Sequence, residues 1–181
     1  MKHVIKYLSV LKKGVSNLQE EESSVYDKLI GYILGNQNKF YRIAYCYVQR
    51  KEGALDIVQN AICKALEKYQ TLKNENAIKT WFYRILINEC LQYLNKGKRE
   101  VLYEPENLKE EVYYEEAFEP KLEIYNQVCR LPEQMKEVVI LHYFEQLTLK
   151  EISQITGVNL NTVKTRLYTA IDRLKKEVGE I

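Results

Sequence analysis

The chain has 181 residues, 46% of them apolar, with 27 basic and 25 acidic side chains and a formal net charge of +2. That length suits one ordinary domain or two small ones, the apolar share argues against wholesale disorder, and 7 glycines with 3 prolines supply little turn chemistry for a sandwich or barrel. The small total hides three blocks: residues 1–99 are net +8, residues 100–122 net −6 and residues 123–181 neutral, a separation that points to partners rather than to fold.

No apolar run reaches the roughly 18 residues that mark a membrane-spanning helix. The start, residues 1–13, is a poor signal peptide because Lys6 interrupts its apolar stretch, so a cytoplasmic location is expected. Cys46, Cys63, Cys90 and Cys129 are spaced by 17, 27 and 39 residues, which matches no zinc pattern, and each lies in a helical apolar context. Buried free thiols are expected, with no metal and no cofactor.

In chain order, residues 1–24 form a basic N-terminal extension that runs into Gln19-Glu-Glu-Glu-Ser-Ser24. From Val25 to Gln49 the apolar spacing is helical, but Gly31, Gly35 and Asn36 leave open one broken helix or two. A second helix is predicted from Gly53 to Tyr69, with Ala54, Ile57, Val58, Ala61, Ile62 and Leu66 inward. After the polar loop Lys73-Asn-Glu-Asn76, a third helix is predicted from about Ile78 to Asn95, with Gly97 able to end it. Residues 98–120 have no clean period and are strongly acidic, so 100–120 reads as a linker. A second helical unit follows from about Lys121. The fold class is therefore all-α: two small helical domains, 25–99 and 121–181, joined by an acidic linker, the second a four-helix domain with a helix-turn-helix.

That helix-turn-helix is Thr148-Leu-Lys-Glu-Ile-Ser-Gln-Ile-Thr-Gly-Val-Asn-Leu-Asn-Thr-Val-Lys-Thr-Arg-Leu167. Thr148 and Glu151 can form a capping box. Ser153 is small where two helices cross, Gly157 suits a turn of positive φ, and Asn159 or Asn161 can cap the second helix. Thr162, Lys164, Thr165, Arg166 and Tyr168 then occupy its exposed side, where bases and phosphates of duplex DNA would be met. An ordinary helical hairpin with a solvated basic face is the plainer alternative.

In the third helix, Phe82, Leu86, Cys90 and Tyr93 fall within about 80° of one another on a helical wheel, a core stripe. Arg84, Asn88, Gln92, Asn95 and Arg99 fall on the opposite side. Lys79, Thr80 and Trp81 precede them, and an exposed indole there could stack on an unpaired base; alternatively Trp81 is core and the polar face merely solvated.

Phe40-Tyr-Arg-Ile-Ala-Tyr-Cys-Tyr-Val48, Ala54-Leu-Asp-Ile-Val-Gln59, Lys79-Thr-Trp-Phe-Tyr-Arg-Ile85 with Asn88, Leu131-Pro-Glu-Gln, Leu141-His-Tyr-Phe-Glu-Gln-Leu147 and Thr162-Val-Lys-Thr-Arg-Leu-Tyr168, in this order, resemble the extracytoplasmic-function sigma factors of bacterial RNA polymerase. The resemblance covers about residues 25–177. It implies a promoter-specificity subunit with no catalytic chemistry and no small-molecule substrate. Its first domain would dock on the β′ clamp of core RNA polymerase and open the minus-ten element. Its second would read the minus-thirty-five element and sit on the β flap. By the same resemblance Asp56, Gln59 and Asn60 match the polymerase-docking position. Asn74, Asn76, Lys79, Thr80 and Trp81 match the segment that captures an extruded base, with Arg84, Asn88, Gln92 and Arg99 along the single strand. Thr162, Lys164, Thr165, Arg166 and Tyr168 match the upstream reader. The linker glutamates, among them Glu104, Glu110 and Glu116, would suit a channel built for RNA, or serve as a solvated tether.

Departures stand beside the matches. Gly53-Ala-Leu-Asp56 lacks one acid common at the start of the docking helix, and Ile62 and Thr169 replace a common phenylalanine and a common base. The versions present look like a cell-wall-stress subgroup held inactive by a membrane-anchored anti-sigma factor. The alternative function is a stand-alone helix-turn-helix repressor or activator. An enzyme is disfavoured, since it would need clustered carboxylates or a His-based site, and the two histidines, His3 and His142, lie far apart, with His142 in an apolar helix.

Overall fold

The structure, a computed structural model, describes residues 20–72, 74–100 and 122–179. The expected N-terminal extension and acidic linker lie outside these ranges, apart from 20–24 and residue 100, which are helical. The described elements are α1 (Glu20–Val48), α2 (Lys51–Lys68), two short 3-10 turns (Tyr69–Thr71 and Glu75–Ala77), α3 (Ile78–Glu100), α4 (Leu122–Arg130), α5 (Glu133–Val139), a π turn (Ile140–Phe144), α6 (Leu149–Thr156) and α7 (Leu160–Gly179). No strand occurs among the described residues. The chain divides into two compact units, α1–α3 in the first and α4–α7 in the second.

The question left open over residues 25–49 resolves as one unbroken helix. Tyr26, Leu29, Ile30, Ile33, Phe40, Ile43, Ala44 and Tyr47 are all buried at helical spacing, so a single stripe runs the length of α1. Gly31 and Gly35 lie off that stripe on the exposed side. Two interior glycines cost roughly 2 kcal/mol together. Each buried Leu, Ile or Phe contributes about 1.5–3 kcal/mol, so the stripe wins. Gly97 likewise fails to end α3, which continues to Glu100. Its φ is not positive, so it forms no left-handed cap.

In the first unit α1, α2 and α3 each pack against the other two. Phe40 and Phe82 meet at 4.4 Å between ring centroids, Tyr83 lies edge-on to Phe40 at 5.9 Å, and Tyr32 touches both phenylalanines. α2 buries small residues, Gly53, Ala54, Ala61 and Ala65, between Ile57, Val58 and Ile62, which lets its neighbours approach closely. In the second unit α5 and α6 both pack on α7, and α4 packs on α5. Pro132 opens α5, where its missing N–H costs nothing.

Cys63 and Cys90 are free thiols, as expected. Cys46, Cys90 and Cys129 are buried and Cys63 is half-buried.

Candidate nucleic-acid interface

Asp56, Gln59 and Asn60 stand exposed on one side of α2, opposite the buried Ile57, Val58 and Ala61. Leu55, where the resemblance expects an acid, is half-buried. The three polar side chains thus form a short outward ridge, free to meet a protein partner.

The segment entering α3 is ordered by its own polar groups. The Asn74 Oδ1 accepts a hydrogen bond from the Asn76 backbone N–H at 3.0 Å, and the Ala77 N–H donates to the Asn74 carbonyl at 2.9 Å. This closes the 3-10 turn Glu75–Ala77 with Asn74 as its cap. Glu75 pairs with Lys28 of α1, which ties the turn to the bundle. The Thr80 hydroxyl donates to the Ala77 carbonyl at 3.1 Å. Asn74 and Asn76 are exposed, whereas Lys79, Thr80 and Trp81 are half-buried. Trp81 is therefore neither a bare platform nor a core residue.

Along α3, Phe82, Leu86 and Cys90 are fully buried and Tyr93 is half-buried, while Arg84, Asn88, Gln92 and Asn95 are exposed. Arg99 is on the same helix, its side chain outside the described set. Lys64 of α2 joins this face. Its Nζ donates to the Glu89 Oε1 at 2.6 Å and to the Gln92 Oε1 at 3.3 Å. Glu89 is buried, so the ion pair fixes the α2–α3 register at its polar edge. With its carbonyl oxygen on Lys64, Gln92 keeps its amide N–H groups for an outside acceptor. Neither Lys28 nor Lys64 was visible as a site residue in the sequence, because each acts across a helix–helix contact that periodicity does not encode.

In the second unit the turn chemistry matches the expectation closely. The Thr148 backbone N–H donates to Glu151 Oε2 at 2.8 Å, and the Glu151 N–H donates to Thr148 Oγ1 at 3.3 Å, a complete capping box. Gly157 ends α6 with φ 72°, and the Ser153 hydroxyl donates to the Val158 carbonyl at 2.6 Å across the turn. Asn159, rather than Asn161, caps α7: its Oδ1 accepts from the Thr162 N–H at 2.8 Å and from the Thr162 hydroxyl at 3.0 Å. Val163, Leu167 and Ala170 are buried and dock α7 on its neighbours.

Lys164, Thr165 and Tyr168 are exposed, Tyr168 at 69%. Thr162 and Arg166 are only half-buried. The Thr165 hydroxyl donates to the Asn161 carbonyl at 3.0 Å, which leaves its methyl and its oxygen lone pairs for an outside contact. A shallow open groove at the start of α7 is lined by Asn159, Leu160, Asn161, Thr162, Thr165 and Arg166. Beneath α7 lies a group the sequence did not single out, Glu137 of α5, which is only 7% exposed. Burial pushes its carboxyl up to about 7, against the opposing pull of the Arg166 guanidinium.

Among the described residues no helix is long and apolar enough to cross a membrane. The sigma-70 region 2 family matches residues 33–100 and the sigma-70 region 4 family matches residues 121–174. The chain is 38% identical over 147 residues to the RNA polymerase sigma factor SigV of Bacillus subtilis, covering 81% of this chain and 89% of that one. It is 23% identical over 187 residues to the ECF RNA polymerase sigma factor SigW of the same organism, covering 95% and 98%. In fold it is similar to the sigma factor RpoE solved with the anti-sigma factor NepR from Bartonella quintana, with a TM-score of 0.72, 21% identity and coverage of 82% and 95%. The two helical units, the capped helix-turn-helix and these relationships together show that the chain belongs to the sigma-70 family, as an extracytoplasmic-function sigma factor of RNA polymerase.

Proposed function

We propose that this sigma factor docks on core RNA polymerase through Asp56, Gln59 and Asn60 of α2. Its first unit then opens the minus-ten element. Asn74, Asn76, Lys79, Thr80 and Trp81 take up an extruded base, and Arg84, Asn88, Gln92 and Arg99 line the single strand. Capturing the base offsets unstacking, which costs a few kcal/mol. Lys164, Thr165 and Tyr168 read the minus-thirty-five element from the exposed side of α7, with Thr162 and Arg166 at its edge. The protein carries no catalytic chemistry of its own and works in the cytoplasm, where its polymerase is.

The observation that supports this reading best is α3. It sets amides and an arginine outward along one side, opposite a fully buried stripe, directly after a turn held in shape by Asn74 and Glu75. A merely solvated helix has no need of an ordered polar turn at its start.

Control by an anti-sigma factor belongs to the same proposal. The RpoE chain of similar fold was solved bound to one. The motif versions noted in the sequence favour a membrane-anchored inhibitor of the cell-wall-stress type.

Run-off transcription with core polymerase and the promoter upstream of the protein's own coding sequence tests the function. Asp56→Ala with Gln59→Ala is expected to abolish core binding while circular dichroism stays unchanged. Wild-type affinity of that double variant for core sinks the docking assignment. Tight binding of the free protein to duplex promoter, with no polymerase-dependent transcript, would instead favour a stand-alone repressor or activator.

A further inference from the structure

Resting on the upstream-reading role proposed for α7, we infer that Asn161 is a further sequence-reading residue of that helix and that it selects an adenine in the upstream element.

The turn before α7 leaves this residue uncommitted. Asn159 carries the cap, its Oδ1 accepting from the Thr162 backbone N–H at 2.8 Å and from the Thr162 hydroxyl at 3.0 Å. The Asn161 backbone carbonyl accepts the Thr165 hydroxyl at 3.0 Å. Its exposed side-chain amide bonds to no group among the described residues.

The register of α7 places that amide. Lys164, Thr165 and Tyr168 follow Asn161 by three, four and seven positions, so the four share one side of the helix. All four are exposed, while Val163, Leu167 and Ala170 are buried on the other side. The outer side continues to Asp172, an exposed acid whose charge repels phosphate. The side suited to DNA is therefore confined to the first turns of α7. A helix-turn-helix presents the N-terminal residues of its second helix to base edges, and Asn161 is the second residue of α7. It also lines the open groove at the helix start, beside Thr162 and Thr165.

The amide chemistry decides which base is read. An asparagine offers an acceptor and a donor side by side, which match the N6 donor and N7 acceptor of adenine. Guanine presents two acceptors there, thymine an acceptor and a methyl, and cytosine a donor. Lys164 has donors only, and Thr165 and Tyr168 each have a single oxygen. Of the four outer side chains, Asn161 alone can make both bonds at once.

The assay uses holoenzyme made with the full-length protein and a duplex from upstream of the protein's own coding sequence. Each adenine of the upstream element is replaced in turn by guanine, with cytosine opposite. A second set replaces each by 7-deazaadenine, which pairs normally but lacks the N7 acceptor. Wild type is expected to lose about ten- to fiftyfold at one adenine in the first set. At the same adenine it should lose about three- to tenfold in the second set. Asn161→Ala is expected to keep the wild-type circular dichroism and to bind the unchanged duplex about ten- to fiftyfold more weakly. It should lose less than about twofold further at that adenine, and keep the wild-type losses at every other position. Asn159→Ala, which removes the cap, is expected to lower the melting temperature and leave the wild-type base preferences in place.

Three results overturn the inference. Asn161→Ala that weakens every duplex alike and keeps every base preference marks a phosphate contact. Asn161→Ala that binds as wild type marks no contact. Loss of preference at the same adenine in Asn159→Ala marks an effect of the cap. A wild-type holoenzyme that binds a duplex with a scrambled upstream element equally well overturns the upstream-reading role, and this inference falls with it. Any of the three with that preference intact overturns the adenine assignment alone.

Discussion

Lys64 on α2 places its ammonium 2.6 Å from the carboxylate of Glu89 on α3, whose side chain is only 8% exposed. The pair lies on the same stretch of α3 as Asn88 and Gln92, and Gln92 accepts a second bond from the same lysine. One cation therefore braces the helix proposed to carry the opened strand. Removing one partner of a buried pair leaves a charge uncompensated, whereas replacing both with apolar groups of similar volume is often neutral. Lys64→Met is expected to destabilise the protein by about 1–2 kcal/mol, less than for a fully buried pair because the lysine itself is 40% exposed. Lys64→Met with Glu89→Leu should recover most of the loss. Urea unfolding monitored by circular dichroism measures both, and a Lys64→Met midpoint equal to wild type refutes the bracing role.

Two glycines should respond in opposite directions to alanine. Gly157 sits at φ 72°, where a Cβ is strained whatever the free space, so Gly157→Ala is expected to cost about 1 kcal/mol or more. Gly31 is an exposed helix-interior glycine with nothing within 4 Å of an added Cβ, so Gly31→Ala should stabilise by about 0.5–1 kcal/mol. Thermal melts of the two variants give the sign of each, and equal shifts would contradict the backbone assignment.

Glu137 links stability to pH. Its folded value of about 7 lies above the unfolded value of 4.5, so the folded state holds the proton more tightly. Its contribution is fully present below pH 4.5 and is lost as pH rises through about 7. The loss amounts to ~3 kcal/mol. Glu137→Gln should remove this slope and leave the protein more stable than wild type at about pH 8. Denaturation midpoints from about pH 5 to pH 8 for both proteins check it, and parallel profiles would exclude Glu137 as the titrating group.

Upstream duplex binding should depend strongly on salt. With ~4–6 phosphates neutralised by the second unit, the slope of log affinity against log salt is expected near −4 to −5. Lys164→Ala should reduce that slope by about one unit. Fluorescence anisotropy of labelled duplex with holoenzyme measures both, and an unchanged slope would move Lys164 off the phosphate backbone.

Local chemistry was legible in the sequence wherever a short range of residues decides it. Thr148 with Glu151, and Gly157 with its positive φ, act within about two turns, and the structure has them as read; the Ser153 hydroxyl adds a bond to the Val158 carbonyl that its small size did not announce. The buried stripe of α3 and its exposed amide side follow from helical periodicity, which needs no knowledge of neighbours. The ordered set of motifs by itself points to a sigma factor, and the family relationships agree.

What needed the tertiary structure is whatever depends on a neighbouring helix. Gly31, Gly35 and Gly97 resemble breaks when propensity is weighed alone, yet packing carries α1 and α3 straight through them. Lys28 and Lys64 become part of the candidate site only because α1 and α2 bring them against Glu75 and Glu89. Arg166 reads as a solvent-facing base in the sequence, yet the packing of α7 on its neighbours leaves it half-buried. The sequence by itself determined the helical class, the capping box of the helix-turn-helix and the kind of protein they build. The structure decided which charges stand exposed and which face each other, because an electrostatic partner across a packed interface has no fixed spacing along the chain.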